Sequence, residues 1–156
     1  MLKKLLVIIM FISLFACEKS YGTQKDDIDK LFNAKSIKIY WDKGVTTNWD
    51  KGSQNIKKEK WSSEREKSFV IFDSINMKKG TARINALDVS SVTVISRADG
   101  IHFIEETLSG NLSVVTVFPY IDKDKSGKYI AVMSRHMNFS NGPFPSQWYG
   151  TAEILK

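Results

Sequence analysis

The chain has 156 residues, 42% hydrophobic and 26% charged, so it is long enough to bury one core and too apolar to be disordered by composition. Lys+Arg is 23 against Asp+Glu 17, and a formal net charge of +6 is too mild and too interleaved to imply a nucleic-acid partner. One cysteine excludes a disulfide framework and a Cys-based zinc site, and two histidines argue against a multi-His metal site, so neither a metal nor a cofactor is expected.

Residues 1–16 have the layout of a secretory signal. Lys3 and Lys4 form a basic start, and Leu5 to Phe15 is almost wholly apolar yet too short to span a bilayer as a helix. The run Leu14-Phe15-Ala16-Cys17 resembles the lipobox of bacterial lipoproteins, with leucine three places before the cysteine and a small residue just before it. The resemblance implies that Cys17 is lipidated, with palmitate-type chains, and becomes the first mature residue. Its implied partner is therefore a membrane, reached through the anchor. Glu18, in place of the Asp linked to inner-membrane retention, favours the periplasmic side of an outer membrane. The alternative is ordinary cleavage after Ser20-Tyr21-Gly22, which removes the cysteine and leaves a soluble periplasmic or secreted protein.

Residues 17–25 read as a polar tether, and 26–156 as a single β-barrel domain. Asp26 to Asn33 fits a short helix, because Ile28, Leu31 and Phe32 share one face and acids crowd its first turn. From Ser36 onward the pattern is β. Ile37, Ile39 and Trp41 alternate with Lys38 and Tyr40; Phe69 to Ile75 is apolar and β-branched; Thr81 to Leu87 is a weaker strand. Ser90 to Phe118 reads as three strands joined at Asp99-Gly100 and at Ser109-Gly110-Asn111. Asp-Gly between alternating runs predicts a two-residue hairpin turn that demands positive φ. Lys128 to Phe139 and Gln147 to Leu155 complete the set. Short connections between about eight strands predict an antiparallel up-and-down meander closed into a small, lipocalin-like barrel. A β-sandwich is the alternative, and the lipocalin analogy is architectural only, since no first-strand Gly-x-Trp is found.

Counting parity from the turns places Val92, Val94, Ile101, Phe103 and Glu105 on the inward face, with Leu112, Val114, Thr116 and Phe118 continuing it. A symmetric connection between Ile121 and Lys128 then brings Ala131, Met133 and Arg135 inside. An inward Glu105 and an inward Arg135 are costly alone and are expected to meet directly or through one water, as a structural ion pair or as the polar anchor of a ligand cavity. Trp41, Trp49, Trp61 and Trp148 suit either the lining of a binding site or the anchoring of the barrel ends, and Trp49 and Trp61, set among lysines, are the further candidates for ligand contact.

Other motifs fail on chemistry. Asp122-Lys123-Asp124-Lys125-Ser126-Gly127 resembles the start of an EF-hand loop, but its twelfth place is Met133 and a strand follows. Ser134 and His136 share a strand face without an orienting third group or a Gly-x-Ser-x-Gly elbow, so no catalytic residues are assigned and no enzyme is expected. His136 and its neighbours, followed by Pro143-Phe144-Pro145-Ser146-Gln147-Trp148-Tyr149-Gly150-Thr151, resemble the C-terminal stretch of small exported bacterial proteins of unknown function. Taken together, these features predict a lipid-anchored envelope barrel that binds a small ligand or an envelope partner. The alternative is an assembly lipoprotein with a filled core.

Overall fold

The computed structural model describes residues 25–50, 52–60, 69–84, 91–107, 110–122, 127–139 and 142–156. The leader, Cys17, most of the tether, Trp61 and loop residues 123–126 lie outside these.

Helix α1 covers residues 25–32 and buries Leu31, with Asn33 closing its end through a 2.8 Å side-chain bond to the Asp29 carbonyl. The remainder is β: β1 (Ile37–Asp50), β2 (Ser53–Lys60), β3 (Phe69–Asn76), β4 (Thr81–Ile84), β5 (Ser91–Arg97), β6 (Gly100–Glu106), β7 (Leu112–Asp122), β8 (Lys128–His136), β9 (Asn138–Phe139), β10 (Gly142–Pro143) and β11 (Ser146–Ile154). Strands β1, β3, β4, β5, β6, β7, β8 and β11 pair in that order, and β11 returns to β1 in antiparallel register from Ile37↔Ile154 to Thr46↔Ser146. Eight strands thus close a barrel and leave that part of the sheet without a free edge.

β1 is much longer than the alternation at Ile37, Ile39 and Trp41 foretells. A bulge between Trp41 and Lys43 shifts its parity, so the inward set passes from Ile37, Ile39 and Trp41 to Gly44 and Thr46. Beyond the bulge β1 pairs with β2, whose eight residues are almost all exposed. Ser-Gln-Asn-Ile-Lys-Lys-Glu-Lys offers no buried face to read as a strand; the ladder to β1 holds it, not burial.

The Asp-Gly hairpin forms one residue earlier than expected. Arg97 pairs with Gly100, so Ala98 and Asp99 are the turn, and neither adopts positive φ. Gly100, just past the turn, itself has φ 158°, and a Cβ there would lie 2.7 Å from the Val117 carbonyl oxygen on the neighbouring strand. Gly100→Val is expected to cost about 1–3 kcal/mol through this overpacking, read as a lowered urea midpoint.

The inward face of β7 also differs from the parity count. Ser113, Val115 and Val117 are buried, opposite Glu105, Phe103 and Ile101. The connection from β6 spans Thr107 to Asn111, closed by Thr107 N donating to the Asn111 carbonyl at 2.9 Å. A three-residue turn at Ser109-Gly110-Asn111 and the observed five-residue connection share one parity, so the odd-numbered residues of β7 face inward with either, and the expected even-numbered set is displaced by one position. Across β7 and β8, Ile121 pairs with Tyr129 and not with Lys128, and the two-residue register shift between Val117 and Ile121 leaves parity unchanged, so Ala131, Met133 and Arg135 do point inward beside Val117, Val115 and Ser113. The core holds Ile37, Ile39, Ile75, Ile101 and Val117, and Phe72 stacks on Phe103 with ring centres 4.0 Å apart.

On the outer wall Tyr40 Oη donates to Glu153 Oε1 at 2.7 Å, and Lys128 Nζ lies 3.2 Å from Glu153 Oε2 and 4.2 Å from the Tyr40 ring centre. The Tyr40 hydrogen bond, with help from Lys128, holds the Glu153 carboxyl below its ordinary value despite some desolvation. A lowered folded pKa gives stability that is complete above the unfolded value, about 4.3, and is lost as pH falls through the folded one. Glu153→Gln should therefore lower stability at neutral pH and flatten the acid limb of a pH–stability profile.

Candidate functional site

Following the register inward across five strands, one row of polar residues emerges. Glu105 pairs with Ser113, Ser113 with Arg135, Arg135 with Ser146, and Ser146 with Thr46. This is the last inward row at the end of the barrel that carries the β6–β7 connection. The next row, Phe103–Val115–Met133–Trp148–Gly44, is apolar throughout. Period-two alternation makes both rows face the same interior.

A cavity of about 260 Å³ lies against these rows. Its polar lining is Glu105, Ser113 and Arg135; Trp41, Phe72, Phe103, Val115 and Met133 are prominent in its apolar lining. Aromatic walls with a few convergent polar groups are the usual composition of a small-molecule site. The two charged groups are half-buried and sit on strands either side of β7. Adjacent strands lie about 4.8 Å apart, so their backbones are separated by about twice that. Among the described residues neither makes an ion pair or hydrogen bond, and the direct Glu105–Arg135 contact expected from parity is not formed. Ser146, beside Arg135 in the row, is 8% exposed and its buried Oγ has no hydrogen-bond partner. The interior row therefore carries unspent hydrogen-bonding capacity next to the cavity.

Trp49 lies elsewhere. It is 38% exposed on the outward face of the β1–β2 arm, opposite Gln54, and does not line the cavity. Of the four tryptophans, Trp41, which alternates with Ile37 and Ile39 on β1, is the one among the described residues that lines the cavity. Ser113 falls outside the expected inward set because that set is displaced by one position on β7.

The remaining candidates do not converge. Ser134 faces Gln147 and Val114, and His136 faces Leu112, on the outer side of β8. His102 Nδ1 is 3.0 Å from Thr116 Oγ1 and its Nε2 is 3.8 Å from Asp99, also outside the barrel. No group of His, Cys, Asp or Glu suited to a metal ion occurs among the described residues. The Pro143-Phe144-Pro145 segment clasps the end of the barrel: Phe144 N donates to the Met137 carbonyl at 2.8 Å, and Thr47 N to the Pro145 carbonyl at 2.9 Å. No protein family, curated protein or solved structure matches the chain.

Proposed function

We propose that this chain is a non-catalytic binding module of the bacterial envelope that holds one small molecule in the end of its barrel. The observation that carries the reading is the cavity of about 260 Å³, with aromatic walls and Glu105, Ser113 and Arg135 on one side. An interior needed only for stability gains little from two half-buried opposite charges that do not meet, since apolar residues of similar volume serve as well or better. The test is a titration with anilinonaphthalene sulfonate, an aromatic anion, followed by energy transfer from tryptophan. The wild-type protein should bind one dye saturably, and Ser113→Phe, which fills the cavity, should not. Equal dye binding by both proteins, or none by either, supports a filled assembly barrel in its place.

The lipobox-like run supports export and anchoring at the periplasmic face of an outer membrane, with the barrel presented to small molecules or partners there. Mass spectrometry of the membrane fraction should find a diacylglyceryl adduct on Cys17. A soluble product starting at Thr23 would replace the anchor with ordinary secretion.

A further inference from the structure

We infer that the ligand is a small zwitterionic amphiphile of the free apolar α-amino-acid type, its anionic group on Arg135, its ammonium on Glu105 and its apolar body against the aromatic wall. This rests on the cavity being a ligand site, as proposed above, and adds the chemistry that site selects.

Charge supplies the first argument. Glu105 and Arg135 both line the cavity, on strands flanking β7, with Ser113 between them. A ligand that enters displaces water from both. A purely anionic ligand pairs with Arg135 but leaves the Glu105 carboxylate desolvated and unpaired; a purely cationic one leaves Arg135 so. A ligand bearing both charges leaves neither stranded. The polar row also supplies a hydroxyl, since Ser113 lines the cavity between Glu105 and Arg135 in register and can donate to the anionic group. A planar guanidinium suits a carboxylate, which it can grip through two parallel bonds.

Size and wall chemistry supply the second. About 260 Å³ falls below the roughly 300–1,000 Å³ of drug-sized sites, which fits a small ring system or one branched chain but not a long acyl tail. Trp41, Phe72, Phe103 and Met133 give that body flat and adaptable apolar contact. The charges of an α-amino acid sit on one carbon, so both fall along the short polar row while the side chain reaches the apolar row beneath it.

The experiment is isothermal titration of the full-length protein with three probes sharing a phenyl ring: L-phenylalanine, hydrocinnamate (no amine) and phenethylamine (no carboxylate). L-Phenylalanine should bind tightest, and each single-charge analogue about tenfold or more weaker, the cost of stranding one charged partner. Glu105→Gln should reverse the preference, binding hydrocinnamate as well as or better than L-phenylalanine. A protein that has merely lost its fold would bind neither, so the reversal is specific. Equal binding of the three probes, or a preference unchanged in Glu105→Gln, overturns the inference. If the sulfonate dye binds the cavity and none of the phenyl probes does, the ligand class alone is wrong. If dye and probes all fail to bind, the cavity reading falls with it.

Discussion

Gly150→Ala should destabilise the barrel by about 3 kcal/mol or more, at the upper end of what overpacking costs. Gly150 lies on β11 opposite Trp41, at the bulge of β1, and these two strands form the seam that closes the barrel. An alanine Cβ would overlap the Tyr40 carbonyl oxygen and come 3.0 Å from Trp41 Cα. Both obstacles are backbone, so no side-chain rotation relieves them; the strands must part. Parting them loosens the ladder that holds Ile37, Ile39 and Ala152 in the core and moves Trp41, a wall of the cavity. Urea unfolding measures the loss, and dye binding should weaken with it because one cavity wall is displaced. An unchanged midpoint would mean that the seam has slack the register does not suggest.

Arg135→Met and Glu105→Gln should separate stability from binding. Parity alone puts both charges inside and leads to a strongly coupled pair, in which losing one partner costs more than losing both. Placed on strands either side of β7 without an ion pair, they should instead behave independently in the free protein. The double-mutant cycle is expected to close within about 0.5 kcal/mol, and each single change to be neutral or stabilising within about 1 kcal/mol. Binding responds differently. Arg135→Met should weaken anilinonaphthalene sulfonate about tenfold or more by removing the partner of its anion, while Glu105→Gln should leave its affinity unchanged or raise it. Residues kept at a cost to stability but decisive for binding are what a functional site requires. A large coupling in the free protein would instead make the pair structural.

The two charged site residues were legible because strand alternation is strict. Ile101, Phe103 and Glu105 share a face whatever the neighbouring loops do. The barrel strands were legible for the same reason. What the sequence hides is anything that depends on counting across a connection. The even-numbered inward set expected on β7 is displaced by one position, since Ser113 and not Val114 lies opposite Glu105, and the expected Ile121–Lys128 pairing is displaced by one as well, since Ile121 pairs with Tyr129. The inward position of Arg135 was thus reached through two errors that cancel. The arm formed by β1 and β2 is hidden for another reason: with both faces of β2 exposed, no hydrophobic period marks it, and Ile56, its one large apolar residue, is 66% exposed. The separation of Glu105 from Arg135 is likewise invisible to parity, which assigns a face but not a distance.

Met133 offers the most direct test of the account. Among the described residues it is the only methionine that lines the cavity; Met77 and Met137 do not. With methionine methyl groups labelled with carbon-13 and the Met133 signal assigned through Met133→Leu, anilinonaphthalene sulfonate is titrated into the protein. Ligand in the barrel end should shift the Met133 methyl strongly through aromatic ring currents, saturating at one equivalent, with Met77 unmoved and the response lost in Ser113→Phe. A Met133 signal that stays in place while dye fluorescence rises would put the dye on the outside of the barrel and contradict the claim that its interior is the binding site.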